Sequence, residues 1–120
     1  MAAQLPTTRA LGDADDQRLL ALVLELIPYA VFWKDRGSAY LGCNAVFAKL
    51  AGLASPAQIV GLTDYDLPWS RAESDTYRAD DHEVIASERA KVHIVETQLN
   101  AEGQRTWVDS SKVPLRGANG

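Results

Sequence analysis

The spacing of apolar and polar positions divides the chain into an apolar helix, a hairpin, a series of short turns, a polar helix and two further strands. From Asp13 to Ile27, the residues Leu19, Leu20, Leu22, Val23, Leu24, Leu26 and Ile27 cover nearly every side of the last two turns. Acidic residues occupy the first turn, where the helix dipole favours them, Asp13 is suited to cap it, and Pro28 ends it. A helix apolar all round must be covered on more than one side, either by its own domain or also by a second copy. Residues Met1 to Gly12 mix Pro, Thr and Gly without a period and read as a loose tail.

Ala30 to Lys34 is rich in β-formers, and Asp35-Arg36-Gly37-Ser38 supplies turn chemistry, with Gly37 the residue suited to positive φ. Tyr40 to Cys43 completes a hairpin, and Asn44 is placed to cap the helix that carries Phe47 and Leu50. Ser55-Pro56 opens a short turn to Val60, and Thr63 to Trp69 predicts another with Leu67 and Trp69 facing in. Ser70 caps a long polar helix to about Ser87, on which Tyr77, Val84 and Ile85 share one face. Lys91–Asn100 and Gln104–Leu115 are strand-like runs joined by a turn at Ala101-Glu102-Gly103.

A length of 120 residues and 47% hydrophobic composition fit one globular domain with a real core. The balance of 12 basic against 16 acidic residues, net −4 without a basic block, argues against nucleic acid as a partner of this domain. Cys43 stands alone, so neither an internal disulfide nor a thiolate cluster forms within one chain, which fits a cytoplasmic setting. The run Leu19 to Ile27 is interrupted by Glu25 and is far short of the ~20 residues of a membrane span. Aspartates precede it where a secretory signal carries positive charge.

With IPYAVFWKD, YLGCNAVFAKLAGL, GLTDYDLPW and KVPL in this order, the chain resembles a PAS domain, the sensor module of bacterial signalling proteins, over roughly Ile27 to Gly120. The resemblance implies an α+β fold in which an antiparallel sheet carries short helices on one face, here preceded by an N-terminal helix. The organisation expected is a tail over 1–12, a flanking helix over 13–27 and the PAS-like domain over 28–120. In the family a fifth strand follows the Pro-Leu of KVPLR and lies between the first and fourth, so the final central strand is expected to be absent from this chain. The edge of Ala30 to Asp35 is then open to strand addition or dimerisation.

The resemblance also bears on the chemistry. Flavin photosensors of the light-oxygen-voltage class place a Cys in the middle helical stretch, whereas here GLTDYDLPW has none, and Cys43 reads as a small buried residue. Haem-binding members use a His on the long helix, but His82 lies about two positions away in Asp80-Asp81-His82-Glu83, roughly 200° around the helix. His93 sits on a strand where alternation allows it inside with Val95. Asp64 and Asp66 lack the continuation of a calcium loop and read as a cap and a salt bridge. Phe32 and Lys34 share the strand face that looks into the family's cavity, where Lys34 needs a partner, Asp64 or Asp66. It either makes a structural ion pair or anchors a polar ligand group.

No phosphate loop, metal spacing or nucleophile elbow is present. The expected function is a non-catalytic, cofactor-free sensory domain that binds a small molecule, attached to an output domain outside this chain and homodimeric through the helix or the open edge. The expected ligand-binding residues are Phe32, Lys34, Phe47, Leu50, Ile59, Leu67, Val84, Ile85, Val95 and Trp107. Alternatives are a ligand-free dimerisation module, a haem or flavin sensor, and a small α+β enzyme.

Overall fold

A computed structural model of the chain describes residues 13–115. The segment read as a tail lies outside them. The order is α1 (Asp13–Leu26), β1 (Phe32–Lys34), β2 (Tyr40–Cys43), α2 (Ala45–Leu50), single 3-10 turns at Pro56–Ile59 and Asp64–Asp66, α3 (Arg71–Ser87), β3 (Lys91–Leu99) and β4 (Arg105–Lys112).

β1 pairs antiparallel with β2, matching Phe32 with Cys43, and β3 pairs antiparallel with β4, matching Thr97 with Trp107. Among the described residues these are two separate ribbons. Between β1, the C-terminal half of α3 and the end of β4 runs a groove of about 370 Å³, bordered by Phe32 to Arg36, Val84, Ile85 and Lys112 to Leu115.

The first turn differs from expectation. Asp35 Oδ1 accepts from the amides of Gly37 and Ala39 at 2.9 and 3.0 Å, but the residue with positive φ is Ser38, at 65°. Ser38 is fully buried and its hydroxyl donates to Asp81, a bond that holds a non-glycine residue in the left-handed region. In the β3–β4 turn, Gly103 supplies the positive φ.

Asn44 ties three segments together. Its Oδ1 accepts from Phe47 N at 3.0 Å, capping α2, and from Val31 N at 3.0 Å, while Nδ2 donates to Tyr29 O at 2.7 Å. The core forms between α2, the 3-10 turns, α3 and the first ribbon, from Tyr40, Cys43, Phe47, Ala48, Ala51, Ile59, Leu67, Trp69 and Tyr77. At Ser70 a reciprocal capping box with Glu73 starts α3. Glu73 also accepts from Leu99 N at 3.0 Å and Thr97 Oγ1 at 2.9 Å, so the same carboxylate starts a helix and seats a strand.

Helix α1 has its apolar surface largely in water. Leu19, Leu22 and Leu26 are 41%, 50% and 71% exposed, on one stripe, while Val23, Leu24 and Ile27 are half-buried. No helix among the described residues is long and apolar enough to cross a membrane.

Replacing Asn44 with Ala removes a cap and orphans the buried Val31 amide, and is expected to cost about 3 kcal/mol in urea unfolding. Asn44→Asp keeps the acceptor but sets a carboxylate oxygen against Tyr29 O in place of the donor, and is expected to cost about 1–3 kcal/mol.

Candidate functional site

Beneath the core lies a cavity of about 30 Å³. One wall is aromatic, with Phe32 from β1, Tyr40 from β2, Phe47 from α2, Trp69 and Tyr77. These rings pack in sequence with centroids 4.8 to 6.2 Å apart. The opposite wall is polar: Glu96 and Gln98 from β3, Ser110 and Lys112 from β4.

Lys34 and Asp64 also reach this cavity, as part of a buried chain of charges. Lys34 Nζ donates to Asp64 Oδ2 at 2.7 Å and to Asp81 Oδ2 at 2.6 Å, and Lys112 Nζ donates to Asp81 Oδ1 at 2.7 Å and Tyr77 O at 3.0 Å. None of the four side chains exceeds 8% exposure. The remaining lone pairs are filled: the Tyr40 hydroxyl and Trp69 Nε1 donate to Asp64 Oδ1, and Ser38 donates to Asp81. Both ammoniums also lie over aromatic faces, Lys34 4.6 Å from the Tyr40 ring centroid and Lys112 5.7 Å from that of Tyr77.

The electrostatics follow from burial and partner. Burial would raise the Asp81 pKa, but the ammoniums of Lys34 and Lys112 more than offset it and hold the carboxyl below its usual value. Glu73 is likewise held low, its burial outweighed by hydrogen bonds from Ser70, Leu99 and Thr97. Burial and the neighbouring Asp64 carboxylate raise Tyr40 well above its ordinary value, so its hydroxyl is a donor. Glu96 is raised by burial, with Lys112 opposing. Its Oε2 is buried and has no hydrogen-bond partner.

Of the residues expected to line the site, Phe32, Lys34 and Phe47 meet at the cavity. Val84 and Ile85 border the larger groove instead. Ile59 and Leu67 are buried in the core away from the cavity, and Leu50 is 41% exposed on the outer side of α2. Val95 and Trp107 are 66% and 75% exposed. The reason is alternation: Glu96 and Gln98 on β3 face in, so their odd-numbered neighbour Val95 faces out, as does Trp107, whose near-neighbours Ser110 and Lys112 line the cavity. His93 is also outside, at a register shift with φ of 56° and 3.5 Å from Asp109, not alongside a buried Val95. Asp64, rather than Asp66, is the expected partner of Lys34; Asp66 accepts from Thr63 N in a capping box. Asp81 and Lys112 had no signal in the sequence, since each sits among charged or polar neighbours. Cys43 is buried, which raises its pKa, and His82 is exposed. Among the described residues no three His, Cys, Asp or Glu side chains group to hold a metal ion.

A family model of the PAS fold matches residues 24–120. The chain belongs to the PAS fold family. Solved structures with the same fold include VqmA of Vibrio cholerae, at a TM-score of 0.73 and 23% identity over 87% of this chain and 45% of that one. VqmA bound to DPO matches with the same score and identity over 52% of its length. A domain of a sensor histidine kinase/response regulator from Geobacter sulfurreducens matches at 0.65 and 17% identity, covering 83% of this PAS chain and 84% of that domain. An RNA-binding light-oxygen-voltage receptor matches at 0.69 and 20% identity, over 98% of this chain and 33% of its own. This chain therefore spans about half of the VqmA chains it matches. A search of curated proteins found no match.

Asp81→Asn leaves Lys112 without a carboxylate and is expected to cost about 3 kcal/mol in urea unfolding at neutral pH. Because the Asp81 and Glu73 pKa values are lowered on folding, their contribution is present above the ordinary carboxylate range and lost as pH falls through that range to their lowered folded values. Asp81→Asn is therefore expected to flatten the acid limb of the stability profile. Glu96 has the opposite sign: its raised pKa means that protonation on acidification relieves an unfavourable buried charge.

Proposed function

We propose that this PAS domain is a non-catalytic, ligand-binding sensory module of a larger signal-transduction or transcription-regulatory protein. The observation that carries this reading is the cavity between an aromatic wall and a polar wall, with a buried carboxylate oxygen unpartnered at its edge. A core built only for stability gains nothing from such an atom. The fold it shares with VqmA, which was solved bound to DPO, supports a small-molecule ligand.

The same elements would transmit the signal. A ligand touching Phe32 and Lys34 on β1 and Ser110 and Lys112 on β4 contacts both ribbons, and β1 follows α1 by only a few residues. Ligand binding would favour one arrangement of the ribbons and of α1, and so bias an attached output domain.

The stripe of Leu19, Leu22 and Leu26 supports a homodimer through α1. Each leucine buried in the contact gains about 1.5–3 kcal/mol. A second reading, a ligand-free dimerisation module, draws on the same stripe and on the small size of the cavity.

Native mass spectrometry of freshly purified protein, with an absorption spectrum, separates the two. The expected result is a small molecule retained at one per chain and no visible band from haem or flavin. Protein with no bound compound, whose melting temperature no small molecule raises, belongs to the dimerisation module. Sedimentation is expected to show a dimer that Leu22→Glu with Leu26→Glu converts to a folded monomer; a monomeric parent protein at micromolar concentration removes the α1 contact.

A further inference from the structure

The charges around the cavity do not balance. Lys34 and Lys112 are matched by Asp64 and Asp81 through contacts of 2.6 to 2.7 Å, which leaves Glu96 as the surplus anion. Ser110 hydrogen-bonds the Glu96 carboxylate, leaving Oε2 without a partner, and Lys112, Lys91, Asp80 and Tyr77 also face it. Neither cation is free to serve it: Lys112 is engaged by Asp81 and Tyr77 O, and Lys91 by Asp80 at 2.7 Å and Glu83 at 3.0 Å. Among the described residues, the only other buried side-chain oxygen without a partner is Asp16 Oδ1, on α1.

We propose, building on the ligand-binding reading above, that the cavity takes the primary ammonium group of a small ligand, with Glu96 Oε2 as its acceptor. A buried carboxylate oxygen calls for a donor, and a net negative site calls for a positive one. The faces of Phe47, Trp69 and Tyr77 on the other wall suit a cation as well. Size selects the class. A cavity of about 30 Å³ holds an ammonium and an attached carbon or two, and excludes a bulkier quaternary nitrogen. Gln98 and Ser110 beside Glu96 offer further oxygens for the remaining N–H bonds.

The three indole N–H signals of Trp33, Trp69 and Trp107 report on the site by NMR, because Trp69 lines the cavity and Trp107 is exposed on the outer face. Titration of the full chain with ethylammonium chloride is expected to move the Trp69 signal saturably and leave Trp107 in place. Ethanol, of the same size without the charge, is expected to bind roughly tenfold or more weakly, and tetramethylammonium not to enter. In Glu96→Gln the advantage of ethylammonium over ethanol is expected to vanish, while the protein unfolds at the same or a higher temperature. Equal affinity of the two probes for the unmodified protein overturns the assignment to Glu96 and leaves the ligand-binding reading intact. A marked fall in the melting temperature of Glu96→Gln also overturns it, by showing that the carboxylate charge already has an internal partner besides the Ser110 hydroxyl. Silence of the Trp69 signal with every probe overturns it too, with the ligand-binding reading then decided by mass spectrometry.

Discussion

Two ammoniums and two carboxylates withdrawn from water must hold one another, and the architecture of this domain follows from that requirement. Removing each ion from solvent costs several kcal/mol, recovered only when geometry is good and the remaining hydrogen-bonding capacity is filled. The order Asp64–Lys34–Asp81–Lys112 meets both conditions, with Tyr40, Trp69, Ser38 and the Tyr77 carbonyl completing the shells. The four charges come from a 3-10 turn, β1, α3 and β4. Among the described residues the two ribbons share no ladder, and the ionic path from Lys34 through Asp81 to Lys112 links them.

This arrangement explains local features that would otherwise look like defects. Ser38 sits at positive φ because its hydroxyl is needed at Asp81, and the tight turn that places it is held by Asp35. Tyr77 gives its carbonyl to Lys112 and its hydroxyl to Thr97 O at 2.6 Å, so α3 is bonded to both strands of the second ribbon. Glu73 bonds α3 to β3 again one turn earlier, through Thr97 and Leu99. The aromatic rings then fill the space between the ion network and α2, each in contact with the next.

A polar network of this kind specifies one arrangement rather than adding stability over an apolar core. That property suits a sensory module. Phe32, Lys34 and Lys112 line both the cavity and the groove between the ribbons. The leucines exposed on α1, Leu19, Leu22 and Leu26, take no part in this network.

Much of the fold was written locally. The Asn44 and Ser70 caps, the Pro after α1, the Pro56 turn and the alternation around Phe32 and Lys34 are interactions among near neighbours in the chain, so the element order and the PAS resemblance were legible from residues alone. The need of Lys34 for a buried partner was legible for the same reason, because its strand face was fixed by its neighbours. The identity of the whole network was not. Asp81 lies in a run of charged residues and Lys112 in a polar strand, and only the packing of α3 against both ribbons buries them, 47 and 78 positions along the chain from Lys34. The inward face of β3 and β4 was likewise decided by tertiary structure: hydrophobicity points to Val95 and Trp107, but the cavity is polar on that side, and the register presents Glu96, Gln98, Ser110 and Lys112 to it instead. Sequence determined which segments form and where they stop, because those are short-range hydrogen-bonding choices; tertiary structure decided which charges share the interior, because burial belongs to the assembled fold and not to any one segment.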